Sequence, residues 1–170
     1  MAAKALESRF DDVVAAIAAI MKAHGFAKRG RVFRLLRDGN SAVVDFQRSR
    51  SSTGDLVRFT LNTGVICGAL LDDYQPDVTK ALSMDAHLRR RIGEFLPAPR
   101  DKWWDLTAKT DVSGPTAELC ELLERAAIPY LLDHLDSRKL IALWESGRSP
   151  GLTEVQRQRY LAQLKSILAV

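Results

Sequence analysis

Catalysis in a protein chain needs a nucleophile, a base or a metal set, and this sequence offers little of any. Its three histidines, His24, His87 and His134, fall in different segments, with no His-x-x-x-His or His-Glu-x-x-His spacing to bring two onto one helical face. The two cysteines, Cys67 and Cys120, sit in apolar surroundings without Cys-x-x-Cys spacing, as expected of reduced core thiols in a cytoplasmic protein. There is no phosphate loop, no Gly-x-Gly-x-x-Gly and no Gly-x-Ser-x-Gly. The chain therefore nominates no catalytic residue, no metal ligand and no cofactor.

Binding chemistry is better represented. Between Lys22 and Arg58 nine basic residues stand against three acidic ones, a local charge of +6 in a chain whose total is +4, so the remainder carries −2. Such a stretch is where a polyanion-seeking surface would lie. Lys28, Arg29 and Arg31 precede the first long strand, Arg34 and Arg58 belong to the polar face of the sheet, and these five are expected to form one continuous basic surface. Gln47 and Asn62 share that face, so their amides, with Arg34 and Arg58, form a platform for a polar ligand or partner. The plainer reading makes Gln47 and Asn62 ordinary solvated residues of a one-sided sheet. Arg91 and Trp104 complete the candidate surface. Adjacent tryptophans on a strand point to opposite faces, so of Trp103 and Trp104 one is core and the other is free to stack on an arginine or a ligand.

The elements that position these residues are legible from periodicity and turn chemistry. Residues 3–24 carry Leu6, Phe10, Val13, Ile17, Ile20 and Met21 at helical spacing, and Gly25-Phe26 supplies a Schellman stop. Asp38-Gly39 between two β-rich runs specifies a two-residue hairpin that sets Phe33 opposite Val44 and Leu35 opposite Ala42. Val57, Phe59 and Leu61 add a third strand to the same apolar face. Residues 81–96 read as either a short strand or an irregular segment, and Trp103–Thr107 reads as one more strand. Pro115 suits a first helical turn, with Leu119, Leu122, Leu123 and Ala126 as the buried stripe, and Pro129 ends or kinks that helix. Thr153-x-x-Gln156 is a capping box for a last helix through Leu161, Leu164 and Leu168.

This pattern specifies an α+β protein: an antiparallel sheet of three to five strands, helices packed on one face, and a helical C-terminal third. The expected organisation is a single domain over 1–170, with the N-terminal helix at 3–24, the sheet core at 31–107 and C-terminal helices at 115–169. At 170 residues such a domain buries roughly 70% of its unfolded surface without disulfide or metal. The apolar run Val13–Met21 lacks the positive flank of a signal peptide, since Glu7, Asp11 and Asp12 precede it, and it is too short to span a bilayer.

Several phrases, in order, resemble a widespread bacterial family, domain of unknown function 4304. They are Gly25-Phe26, Lys28-Arg29-Gly30-Arg31, Phe46-Gln47-Arg48-Ser49, Phe59-Thr60-Leu61-Asn62-Thr63-Gly64, Arg91-Ile92-Gly93 and Trp103-Trp104. The resemblance runs from about Leu6 to Leu135 and implies an α+β domain. It supplies no activity, cofactor or catalytic residue, and it singles out Gln47, Ser49, Asn62, Arg91 and Trp104. The expectation is a non-catalytic cytoplasmic interaction or ligand-binding domain, whose partner is a protein or a small polar ligand and not a membrane. The alternatives are nucleic-acid binding through the basic surface and, with least support, an enzyme of unknown chemistry.

Overall fold

The computed structural model describes residues 2–170. Helix α1, Ala2–Ala23, ends in a Schellman motif: Phe26 N–H donates to the Met21 carbonyl (3.0 Å), Gly25 N–H donates to Lys22 (3.0 Å), and Gly25 takes φ +87°. A short strand β1, Ala27–Arg29, turns at Gly30-Arg31 into β2, Val32–Arg37. Asp38 and Gly39, both at positive φ, then make the tight turn into β3, Asn40–Arg48. The expected register holds, with Phe33 opposite Val44, Leu35 opposite Ala42 and Arg37 opposite Asn40.

Strand β4, Val57–Cys67, pairs along the whole of β3. Its other edge is shared by two short antiparallel strands in line, β5, Leu88–Arg91, beside residues 62–65, and β6, Trp104–Leu106, beside residues 57–59. The ambiguous 81–96 stretch is thus a strand flanked by two 3₁₀ turns. The sheet order is β1-β2-β3-β4, then β5 and β6 together.

Helices cover one face. Phe10, Ile17 and Met21 of α1 pack on Phe33, Val44, Phe59 and Leu61, all fully buried. Phe46, on the same apolar face, is only half-buried. It stands near the strand end, where its ring meets Phe10 edge-on at 5.7 Å while one side stays open. The same core takes in α2, Ser113–Leu122, α3, Ile128–His134, α4, Ser137–Glu145, and Leu164 of α5, Glu154–Leu168. A π-helical turn over Leu123–Ala127 joins α2 to α3, so Pro129 neither ends the helix nor breaks it. The extra residue of the π turn rotates the stripe: Ala127 and Ile128 are buried and Ala126 is not. The capping box of α5 forms as read, Thr153 with Gln156.

The second face departs from a purely polar surface. Val43 and Ile66 project from it and are fully buried, with Ala81 and Ala86, beneath residues 71–86. Near the β6 end, Thr60 is sealed by the segment before β6 through a bond from its hydroxyl to the Lys102 carbonyl (2.8 Å). Two uncharged patches of this face therefore have protein cover, and the polar residues between them form the floor of a cleft.

Candidate functional site

Strand alternation decides which side chains reach that cleft. On the second face lie Asp45 and Gln47 of β3, Asn62 of β4, and Arg89 and Arg91 of β5, since Asp45 pairs with Asn62 and Asn62 with Arg91. These residues, except Asp45, line a cleft of about 380 Å³ closed by Ser83, Met84, Glu94 and Gly151. Its volume is that of a small-ligand site.

The floor is one hydrogen-bonded chain. Asp45 accepts from the Ser83 backbone N–H (3.0 Å) and from Asn62 Nδ2 (3.3 Å). Asn62 Nδ2 also donates to Gln47 Oε1 (2.9 Å), and Asn62 Oδ1 accepts from Arg91 Nε (3.3 Å). The carboxylate of Asp45 demands a donor, so the orientation of the Asn62 amide is fixed, and that of Gln47 follows from it. Gln47 thus points an oxygen into the network and keeps its NH₂ group for the cleft. Arg91 continues the chain to Asp101 (2.8 Å), which also accepts from Trp103 Nε1 (2.9 Å), while the guanidinium lies 5.3 Å from the centre of the Trp103 ring. The Arg91 and Trp103 hydrogen bonds hold the Asp101 carboxyl below the usual carboxylate range. The guanidinium of Arg89, beside Arg91, donates only to the Met84 carbonyl (3.3 Å) and has no carboxylate within ion-pair distance among the described residues. The free groups converging here are donors, the Arg89 guanidinium and the Gln47 amide, which suits an acceptor-rich or anionic ligand.

Of the nine residues of the candidate surface, Gln47, Asn62 and Arg91 are brought together in this cleft. Trp104 is not a surface residue, and that expectation is corrected. It is 4% exposed, stacks on Phe59 at 5.9 Å and donates from Nε1 to Glu118 (2.8 Å). Its pairing with Phe59 puts it on the helix-covered side, and Trp103 is the tryptophan left beside Arg91 and Asp101.

The five basic residues do not form one continuous surface. Arg31 turns toward α1, donating to Glu7 (2.5 Å) and lying 4.3 Å over the Phe10 ring. The Arg31 hydrogen bond, with Arg48 nearby, holds the Glu7 carboxyl below its usual range. Arg58 is on the second face but makes a two-pronged pair with Asp105, both bonds 2.7 Å. Arg34 is folded under the 71–86 segment, donating to Ser41 Oγ (3.1 Å) and the Val78 carbonyl (3.0 Å). Lys28 and Arg29 occupy the edge strand β1, on opposite faces.

Sequence reasoning passed over Asp45 and Gly151 and left Arg89 out of the candidate surface. Alternation along β5 carried the signal for Arg89, since it shares a face with Arg91. Gly151 comes from the α4–α5 loop, more than sixty residues away in the chain, and no local pattern announces it.

Fold and cleft together define an α+β protein with an open antiparallel sheet, helices on one face and a polar, arginine-bearing cleft on the other. The profile of the family described as domain of unknown function (DUF4304) matches residues 17–133, and the chain belongs to that family. No curated protein and no solved structure matches it. The matched region holds every residue of the cleft except Gly151; α4 and α5 lie beyond it.

Proposed function

We propose that this chain is a non-catalytic ligand-binding domain that takes a small anionic or acceptor-rich molecule in the cleft between β3, β4 and β5. The observation that carries the reading is the Asp45–Asn62–Gln47–Arg91–Asp101 chain of bonds. It fixes the floor in one geometry while Arg89 and the Gln47 NH₂ group remain open to a ligand. A preorganised donor set of this kind lowers the ordering cost of binding. We take the protein to be a single cytoplasmic unit; both cysteines are free, and among the described residues no helix is long and apolar enough to cross a membrane.

Nucleic-acid binding has less support. Arg31, Arg48 and Arg58 are each engaged by carboxylates, and a phosphate backbone would have to displace them.

Thermal unfolding with succinate and with inorganic phosphate tests the proposal. At about 10 mM either anion should raise the midpoint of the wild type, since ligand in excess of Kd stabilises the native state, and neither should raise that of Arg89→Gln. A wild-type midpoint that neither anion moves sinks the reading.

A further inference from the structure

A second concavity, sharing no lining residue with the first, lies at the β1 edge of the sheet. It is a trough of about 460 Å³ between the second face of β1 and β2 and the 77–82 segment. Across the β1–β2 pair Ala27 stands opposite Arg34, and Arg29 opposite Val32. Two apolar and two cationic side chains therefore alternate diagonally on one small surface. Leu82, 38% exposed, and Lys80 line the trough from the facing segment.

The cations here are short of counter-charge. Arg34 spends one terminal nitrogen on Ser41 and Val78, and its remaining N–H groups have no protein acceptor among the described residues. Among the described residues no carboxylate lies within ion-pair distance of Arg34 or Arg29, although Asp77 and Asp45 act on Arg34 from further off. Burial lowers the Arg34 pKa, so this guanidinium is losing water without gaining an anion in return. Lys80 reaches Asp77 only at 3.9 Å, and that carboxylate is already engaged by the Thr79 hydroxyl and backbone N–H. Three cations thus face one occupied carboxylate around an apolar floor.

We propose that the trough is a binding site for an organic anion with an apolar body, its carboxylate or equivalent head on Arg29, Arg34 and Lys80 and its body on Ala27, Val32 and Leu82. Positive charge alone would recruit any anion, but an apolar floor adds about 25 cal/mol for each Å² of hydrocarbon covered. Head and body should both be required.

Octanoate is the probe, with acetate supplying the head alone and octyltrimethylammonium the body with the opposite charge. Amide shifts are followed by NMR on the full chain. Octanoate should give saturable shifts at Ala27, Val32 and Leu82, and acetate and the ammonium should bind at least about tenfold more weakly, roughly 1.4 kcal/mol. Arg29→Glu combined with Lys80→Glu, both exposed and outside the core, should weaken octanoate by a similar factor and keep the native spectrum elsewhere. Equal binding of octyltrimethylammonium would reduce the site to a greasy patch and overturn the proposal. So would the absence of saturable shifts up to about 10 mM octanoate, or trough shifts that follow protein concentration without ligand, which would make a second copy of the chain the occupant. Octanoate shifts confined to Arg89, Arg91 and Gln47 would overturn it while supporting the other cleft, so the two proposals fail separately.

Discussion

Gly151 lies so close to Arg89 that a Cβ built on it would stand 2.6 Å from the Arg89 Cβ and 2.8 Å from the Arg89 carbonyl oxygen. The neighbouring Pro150 carbonyl accepts from the Arg89 backbone N–H at 3.1 Å. The loop between α4 and α5 is thereby fastened to the free edge of β5, and a wall of the Gln47–Asn62–Arg91 cleft is made by chain from beyond the family match. An exposed edge strand is blunted by the same contact.

Gly151→Val is expected to break that fastening. The position takes φ +77°, so a β-branched residue adds backbone strain of about 1–3 kcal/mol to the steric conflict. Hydrogen exchange at the Arg89 amide should accelerate while the amides of β3 keep their protection. Unchanged exchange at Arg89 would mean that the loop contributes nothing to holding β5.

Phe46→Ala tests the packing of the sheet under α1. Full burial would cost about 3–5 kcal/mol on truncation. The half-open position of Phe46 reduces this, and its loss also removes contacts with Phe10, Phe33 and Phe59, so about 2–3 kcal/mol is expected from denaturant midpoints. A change below about 1 kcal/mol would show that the aromatic cluster holds without it.

The success of the hairpin reading and the failure of the basic-surface reading have different physical origins. Asp38-Gly39 is local chemistry: two positive-φ residues fix the register, and the register fixes which side chains share a face. Gln47 and Asn62 were placed together by that logic. Whether Arg31 points to solvent or to Glu7 depends on where α1 lies across the sheet, and no spacing within the strands encodes it. Trp104 failed for a related reason. Either tryptophan could face the core until the pairing of β6 with Phe59 was known. The buried Val43 and Ile66 were in view as apolar letters on the polar face, and their cover is a loop without periodicity.

The thiols separate by burial. Cys67 is fully buried and Cys120 half-buried, and in both burial pushes the thiol pKa up, aided at Cys120 by the Glu124 charge. Titration with a disulfide reagent should leave Cys67 silent in the folded protein. Unfolding without prior reduction should release both thiols of the chain. A folded-state reaction at Cys67 as fast as that of a free thiol would contradict its burial.

His87 gives the chain a pH dependence that its carboxylates do not share. The ring is 1% exposed, its Nδ1 accepts from the Cys67 backbone N–H (3.0 Å), and it meets Tyr160 edge-on at 4.9 Å. The proton therefore sits on Nε2, which finds no hydrogen-bond partner among the described residues. Adding a second proton would set an N–H at Nδ1 against the Cys67 N–H. Burial pulls the pKa from 6.5 to about 4; Arg159 also lowers it, while the Leu70 carbonyl and Asp85 act in the opposite sense. In the unfolded chain His87 takes a proton as pH falls through 6.5, and in the folded chain only near 4, so the unfolded state binds more protons between these values. Stability is then full above pH 6.5 and declines toward pH 4, by about 3 kcal/mol in all. Glu7, Asp101 and Asp105 are all held below their usual values of 4.5, 3.8 and 3.8, so their losses begin only at the acid end of this range and leave its upper part to His87. Urea unfolding from pH 8 down to pH 4 should show the decline in the wild type, and His87→Gln, which keeps an acceptor for the Cys67 N–H, should flatten it whatever its absolute stability. A wild-type curve already flat between pH 6.5 and 4.5 would show that His87 charges as easily in the folded protein as out of it, and the buried, neutral ring would have to be given up.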